Sequence, residues 1–168
     1  RLRNIPVVSP TLNFNGGWEN GKSGFLSVAS ELGVLKSKAG KAFAAAIEAQ
    51  REFEAETKEL GRIALANLRE HPDQIAVVLF GRSYNSLSAN ANKGIPKKLA
   101  SRGYTVIPFE MLPYEDVPLG EVYGEYMHWE AGQRMLKAAE YIKGDPQLFG
   151  VFVTNFLCAP DSFIGPYF

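Results

Sequence analysis

Residues 75–80 read IAVVLF, an unbroken run of apolar side chains. A strand wetted on one face alternates apolar and polar residues, so a run of this length and composition predicts a strand covered on both faces. Burial of that kind belongs to parallel sheets, whose helical crossovers lie over both faces. Gly81 ends the run, and a loop rich in Ser, Asn and Ala leads to a helix that opens near Ile95-Pro96 and closes at Gly103. Proline is tolerated in a first helical turn and glycine favours the end of a helix. The pattern then repeats. Residues 104–109, YTVIPF, predict a second strand, and a loop holding Pro113 and Pro118 leads to a helix over about 122–143, stopped by Gly144-Asp145-Pro146. Residues 149–154, FGVFVT, predict a third. Three strands joined by helices imply right-handed βαβ units, hence an α/β fold with a doubly wound, mainly parallel sheet of the Rossmann-like or flavodoxin-like kind.

Upstream the style differs. Residues 5–14, IPVVSPTLNF, read as an edge or surface strand, since Pro10 cannot donate to a ladder and apolar residues alternate at Leu12 and Phe14. Residues 24–32 predict a short helix stopped by Gly33. Over 41–70, Phe43, Ala46, Ile47, Gln50, Phe53, Thr57, Leu60, Ala64, Leu65 and Leu68 follow one face at helical spacing, which predicts one long helix with its Phe43, Ile47, Phe53 and Leu60 side packed on the sheet layer or its helices; Gly61 is its weak point. The division expected is therefore 1–72, an extended segment plus helices packing on the core, and 73–168, an α/β domain. An initial Arg1 and a final DSFIGPYF without polar punctuation suggest a piece cut from a larger protein, with 73–168 truncated at its C-terminus.

Eighteen basic residues balance eighteen acidic ones, and apart from Lys97 and Lys98 the basic residues are scattered. No overall field favours nucleic acid or an anionic membrane surface, so neither is expected as a partner. No apolar run approaches the roughly 18 residues of a membrane span, and the start lacks a secretory signal. The single cysteine, Cys158, has no internal partner for a disulfide, which fits a reducing compartment and a cytoplasmic location.

Several motifs carry possible chemistry. Residues 16–23, GGWENGKS, match the phosphate-loop pattern G-x-x-x-x-G-K-S, in which Lys22 and Ser23 would serve the phosphates and magnesium. Such a loop follows a buried central strand; the edge-like segment holding Pro10 argues that 16–23 does not wrap as a phosphate nest. A P-loop-type nucleotide-binding domain stays open as one alternative, and a non-catalytic scaffold of the same fold as another. Ligands of doubly wound sheets sit beyond the carboxyl ends of the strands. There the chain places Tyr84 and Asn85 after the first strand, Glu110 after the second, and Asn155 and Cys158 after the third, all expected on one rim. Cys158 is core filler, nucleophile or metal ligand by its residue type; His71 and His128 show no spacing relation to it, against a Cys-His pair. Asn92 reads as turn and cap chemistry. Trp129, Gln133, Leu136 and Glu140 read as one helix face, and Glu110, Glu115, Asp116 and Asp161 as solvated carboxylates.

The strings VVLFGRSYN, ANKGIPKKLASRGYTVIPFEMLP, HWEAGQRMLKAAEYI and FGVFVTNFLCAPDSFI together resemble the activase-related part of 2-hydroxyacyl-CoA dehydratase proteins, also described as activators of 2-hydroxyglutaryl-CoA dehydratase or CoA-substrate-specific enzyme activases. The resemblance covers residues 75–164 well and the first seventy loosely. It implies a dehydratase-subunit-like domain with a doubly wound fold, in a protein that couples ATP hydrolysis to delivery of one strongly reducing electron. It further implies Cys158 as a ligand, and so the metal-binding residue, of a 4Fe-4S cluster. The other ligands would lie outside the chain, so the isolated chain is expected to hold no cluster and to be inactive. The loop FEMLPYED has no cysteine, and no D-x-G-x-T phosphate motif is present, so the ATPase activase modules are expected as partners elsewhere in the parent protein, with an acyl-CoA as substrate.

Overall fold

The computed structural model describes residues 6–120, 126–155 and 158–168. They fall into two compact units, one reaching to Ala55 and the other Glu56–Phe168.

In the first unit, residues 6–14 form no strand. The expected edge strand fails because Pro6 and Pro10 lack donors and no neighbouring strand offers a ladder. A 3-10 turn, Trp18–Gly21, enters helix α1 (Lys22–Glu31). Helix α2 (Lys36–Arg69) is unbroken and starts earlier than its periodicity suggested. Phe43 and Ile47 are buried in this unit, where the Phe43 ring lies 5.5 Å from that of Phe25 in α1.

Helix α2 ends within the second unit, and there the expected face packs only in part: Leu60 is 56% exposed, and Phe53 before it 63%. The residues packed toward the sheet are Gly61, Ala64, Leu65 and Leu68. Ala64, Leu65 and Leu68 belong to the expected stripe; Gly61 does not, and stands one position, about 100° of helix rotation, from the exposed Leu60.

The sheet has three parallel strands, β1 (Ala76–Phe80), β2 (Thr105–Pro108) and β3 (Leu148–Phe152), in the order β2-β1-β3. Val78 lies opposite Ile107 on one side and Gly150 on the other. Two helices precede β2, α3 (Ser83–Ser86) and α4 (Ile95–Ala100), and α5 (Glu130–Lys143) precedes β3. A right-handed connection from β1 outward to β2, and another from β2 back across β1 to β3, must place their helices on opposite faces. The side chains agree. Ala76, Val78 and Phe80 share a buried cluster with Met135, Leu136 and Ile142 of α5, whereas Leu79 and Val106 line a 450 Å³ cavity with Pro96 and Ala100 of α4. This is the doubly wound arrangement expected. Helix α6 (Ala159–Ile164) adds Ile164 to the α5 side, where the Phe80 ring stacks on Phe109 at 5.4 Å and meets Phe168 edge-on at 4.6 Å.

The helix expected from about 122 begins later. Residues 121–125 lie outside the described set, 126–129 are not helical, and Trp129 takes an extended backbone as the N-cap of α5. At the amino edge of the sheet the buried Gln147 amide is shared among the carbonyls of Leu68, His71 and Gln74, each at 3.0 Å. Arg69 pairs there with Asp145. Burial raises the Asp145 pKa, but the Arg69 guanidinium and the Gln147 N–H outweigh it and hold the carboxyl below its ordinary range. Among the described residues no helix is long and apolar enough to cross a membrane.

Gly61 supplies a test of the α2 packing. A Cβ there would sit 2.0 Å from the Met111 carbonyl oxygen, whereas at Gly40 nothing lies within 4 Å. Alanine gains up to about 1 kcal/mol in a helix over glycine, while forced overlap costs about 1–3 kcal/mol. Gly61→Ala is therefore expected to destabilise by about 1 kcal/mol and Gly40→Ala to stabilise by several tenths, read by chemical denaturation; equal gains from both would refute the close approach.

Candidate functional site at the carboxyl ends of the strands

Parallel strands deliver their following loops to one edge, and in the order found here β1 and β3 are neighbours whose ends define that edge. They approach closely. Gly81 has φ 139°, and a Cβ there would lie 2.3 Å from the Val153 carbonyl oxygen, so the position tolerates only glycine. Just before it, Phe80 C=O accepts from Val153 N–H at 2.8 Å, extending the ladder past the strand end.

Polar groups collect at this junction. The Arg82 guanidinium lies over the Trp129 ring at 4.4 Å, and its Nε stands 3.5 Å from Asp161 Oδ1. Both atoms are buried and neither makes a hydrogen bond, so the pair is an attraction of charges without hydrogen-bond geometry. Asp161 is 2% exposed, and its other oxygen accepts from the Thr154 hydroxyl at 2.6 Å. Asn85, 1% exposed, accepts through Oδ1 from Asn155 Nδ2, while its own Nδ2 is buried without a partner. Cys158 is a free, partly exposed thiol at the N-cap of α6. Its N–H donates to Asn155 C=O at 3.1 Å and its C=O accepts from Ser162 N–H at 2.9 Å.

Of the residues singled out in sequence, Asn85 and Asn155 are thus joined directly, and Cys158 joins them through the Asn155 backbone. Tyr84 is exposed and makes no bond to that group. Arg82, missed by the sequence reading, and Trp129, read there as part of a packed helix face, complete the junction, and Asp161, read as solvated, is buried. The available signal was position: Arg82 follows the strand-ending glycine, and Asp161 lies in the first turn of the helix opened by Pro160. Asn92 acts as turn chemistry, donating to Ser86 C=O at 2.8 Å and accepting from Gly94 N–H at 2.9 Å. Neither histidine bonds Cys158; His71 meets Asn67 C=O at the end of α2. Lys22 and Ser23 are exposed, and no strand precedes residues 16–23 among the described residues, so the strand-loop-helix context of a phosphate loop is missing there. Among the described residues no group of three or more His, Cys, Asp or Glu is placed to hold a metal ion.

Glu110, expected on the same rim, belongs to a second cluster. Here Arg134 Nε donates to the Tyr114 hydroxyl at 3.0 Å, and Lys58 lies 4.3 Å over the Tyr114 ring, bonds Leu112 C=O at 2.6 Å and pairs with Glu115. Both cations being engaged elsewhere, Glu110 Oε2 is left buried without a partner. Burial raises the Glu110 pKa above 4.5, with backbone bonding, Arg134 and Lys58 opposing it less strongly. A raised pKa means that the folded state holds the proton more tightly, so the stability this group contributes is complete below pH 4.5 and is lost as pH rises through the folded value. Glu110→Gln is expected to raise the melting temperature at pH 7 and to flatten its decline above pH 4.5; an equal or lower melting temperature at pH 7 would contradict this account of the carboxyl.

Neither the curated proteins nor the solved structures contain a significant match to the chain. A family model does match, over residues 2–112, a span that takes in β1, β2, Arg82 and Asn85 and ends before β3 and Cys158. That span is well over half of the 168 residues, and the chain belongs to the CoA enzyme activase uncharacterised domain family.

Proposed function

We propose that this domain is an iron-sulfur-associated part of a 2-hydroxyacyl-CoA dehydratase activator-related protein, taking part in ATP-coupled, low-potential electron transfer, with Cys158 as a thiolate ligand of a 4Fe-4S cluster. Family membership supports the CoA enzyme activase setting. The observation that carries the ligand role is the position of Cys158: partly exposed, in the turn after β3, tied through Asn155 to the loop after β1. Cluster thiolates come from several segments and need a place where these meet, which a strand-end turn supplies and a mid-strand or mid-helix position does not. The fit is that of one ligand among several. Four are needed, and the described residues provide no second cysteine, so the others would come from outside the chain.

When bound, such a cluster supplies one-electron transfer at low potential. The chain's own part is to present a thiol at a fixed position on a rim whose charges, Arg82 and Asp161, balance each other. The ATPase activase modules are the partners this reading requires and an acyl-CoA the substrate class, in a reducing, cytoplasmic setting that keeps a lone thiol free.

Anaerobic purification of the full-length protein with iron and sulfide analysis tests the reading. Wild type is expected to carry iron and sulfide, and Cys158→Ala to lose much of the iron while keeping its circular dichroism spectrum. Iron unchanged by the substitution, or absent from both proteins, would overturn it.

A further inference from the structure

We propose that Arg82 and Asp161 are positioning residues that lock the Cys158 turn to the end of β1 and thereby set the reactivity of the thiol; the functional meaning of this lock rests on the ligand reading of Cys158 given above. Asp161 lies three residues beyond Cys158, in the first turn of α6, and is 2% exposed. A carboxylate taken so far from water needs partners. It has two, the Thr154 hydroxyl at 2.6 Å and the Arg82 guanidinium at 3.5 Å. Arg82 in turn is held from below, by Gly81 pressed against Val153 C=O, and from the side, by the Trp129 ring.

The consequence falls on Cys158. Its two backbone hydrogen bonds, to Asn155 C=O and from Ser162 N–H, run one toward β3 and one into α6. Both need the start of α6 to stay where Asp161 pins it. Removing one partner of a buried pair leaves the other charge uncompensated, and the structure escapes that by local opening. The segment that opens is the first turn of α6, from Cys158 on, because the core behind it, Phe80 stacked on Phe109, is apolar and held by the rest of the buried cluster.

A second ion pair makes the inference separable from general stability. Arg69 and Asp145 pair at the amino edge of the sheet, remote from this turn along β3. Loss of that pair destabilises the domain without touching the lock.

The test is the rate at which iodoacetamide alkylates the chain's only thiol. Asp161→Asn and Arg82→Gln are each expected to change that rate about tenfold, upward, as local opening exposes the sulfur. The double variant should go no further than the larger single one, because both remove the same contact. Arg69→Gln should lower the melting temperature yet leave the rate within about twofold. If Asp161→Asn fails to fold, Thr154→Val, which removes only the hydroxyl donor, reads the same lock in the same direction. Unchanged rates in Asp161→Asn and Arg82→Gln, additive effects in the double variant, or an equal rise in Arg69→Gln would overturn the proposal. Iron analysis of the full-length protein separates the two readings. Altered thiol rates alongside iron indifferent to Cys158→Ala sink the ligand assignment and leave the lock; iron dependent on Cys158 alongside unaltered rates sinks the lock alone.

Discussion

The backbone of Ala76–Phe80 has no water to bond, and the fold of the second unit follows from that. Every residue of this strand is at most 7% exposed. A buried N–H or C=O without a partner costs about as much as a lost hydrogen bond, so both edges of the strand must be paired. They are, with β2 on one side and β3 on the other. Both of its faces must also be covered, and each buried Val, Leu or Phe side chain contributes about 1.5–3 kcal/mol in return. Connections that satisfy both demands have to be helical crossovers of one hand. The three loops that carry chemistry then leave from a single edge, and the tightness of that edge excludes any residue but glycine at position 81.

How far this was legible depended on range. The run IAVVLF announced a strand covered on both faces because its pattern is local, and the crossovers followed from handedness. The long helix was equally clear from its spacing. Its buried face was legible only in part: Phe43, Ile47 and Leu68 are buried as their spacing suggested, but Gly61 meets the backbone of Met111 far along the chain, and no periodicity contains that. Phe53 and Leu60 fitted the period and remain in solvent.

The site shows the same division. That Asn85, Asn155 and Cys158 lie after parallel strands was readable, since topology sets it. That Asp161 is buried was not, because a lone carboxylate in a loop is ordinarily solvated, and only its meeting with Arg82 makes burial tolerable. Trp129 was assigned to a helix that begins one residue later, and its role as the surface on which Arg82 lies depends on that extended residue. Glu110 stands apart with its neighbouring cations already engaged, an unsatisfied acceptor that the topology placed on the rim and the side chains drew into another cluster.

The account depends on the Cys158 turn lying beside the loop after β1, at the carboxyl edge of the sheet. The single cysteine allows one nitroxide spin label to be attached there without other substitutions, and its paramagnetic broadening of backbone amide signals falls steeply with distance. The strands are five residues long or shorter, so the two edges of the sheet are about 16 Å apart at 3.3 Å per residue. The account predicts far stronger broadening of amides 82–86 and 153–155 than of amides 74–76 and 147–148; broadening that is equal at both edges, or stronger at the amino edge, would contradict it.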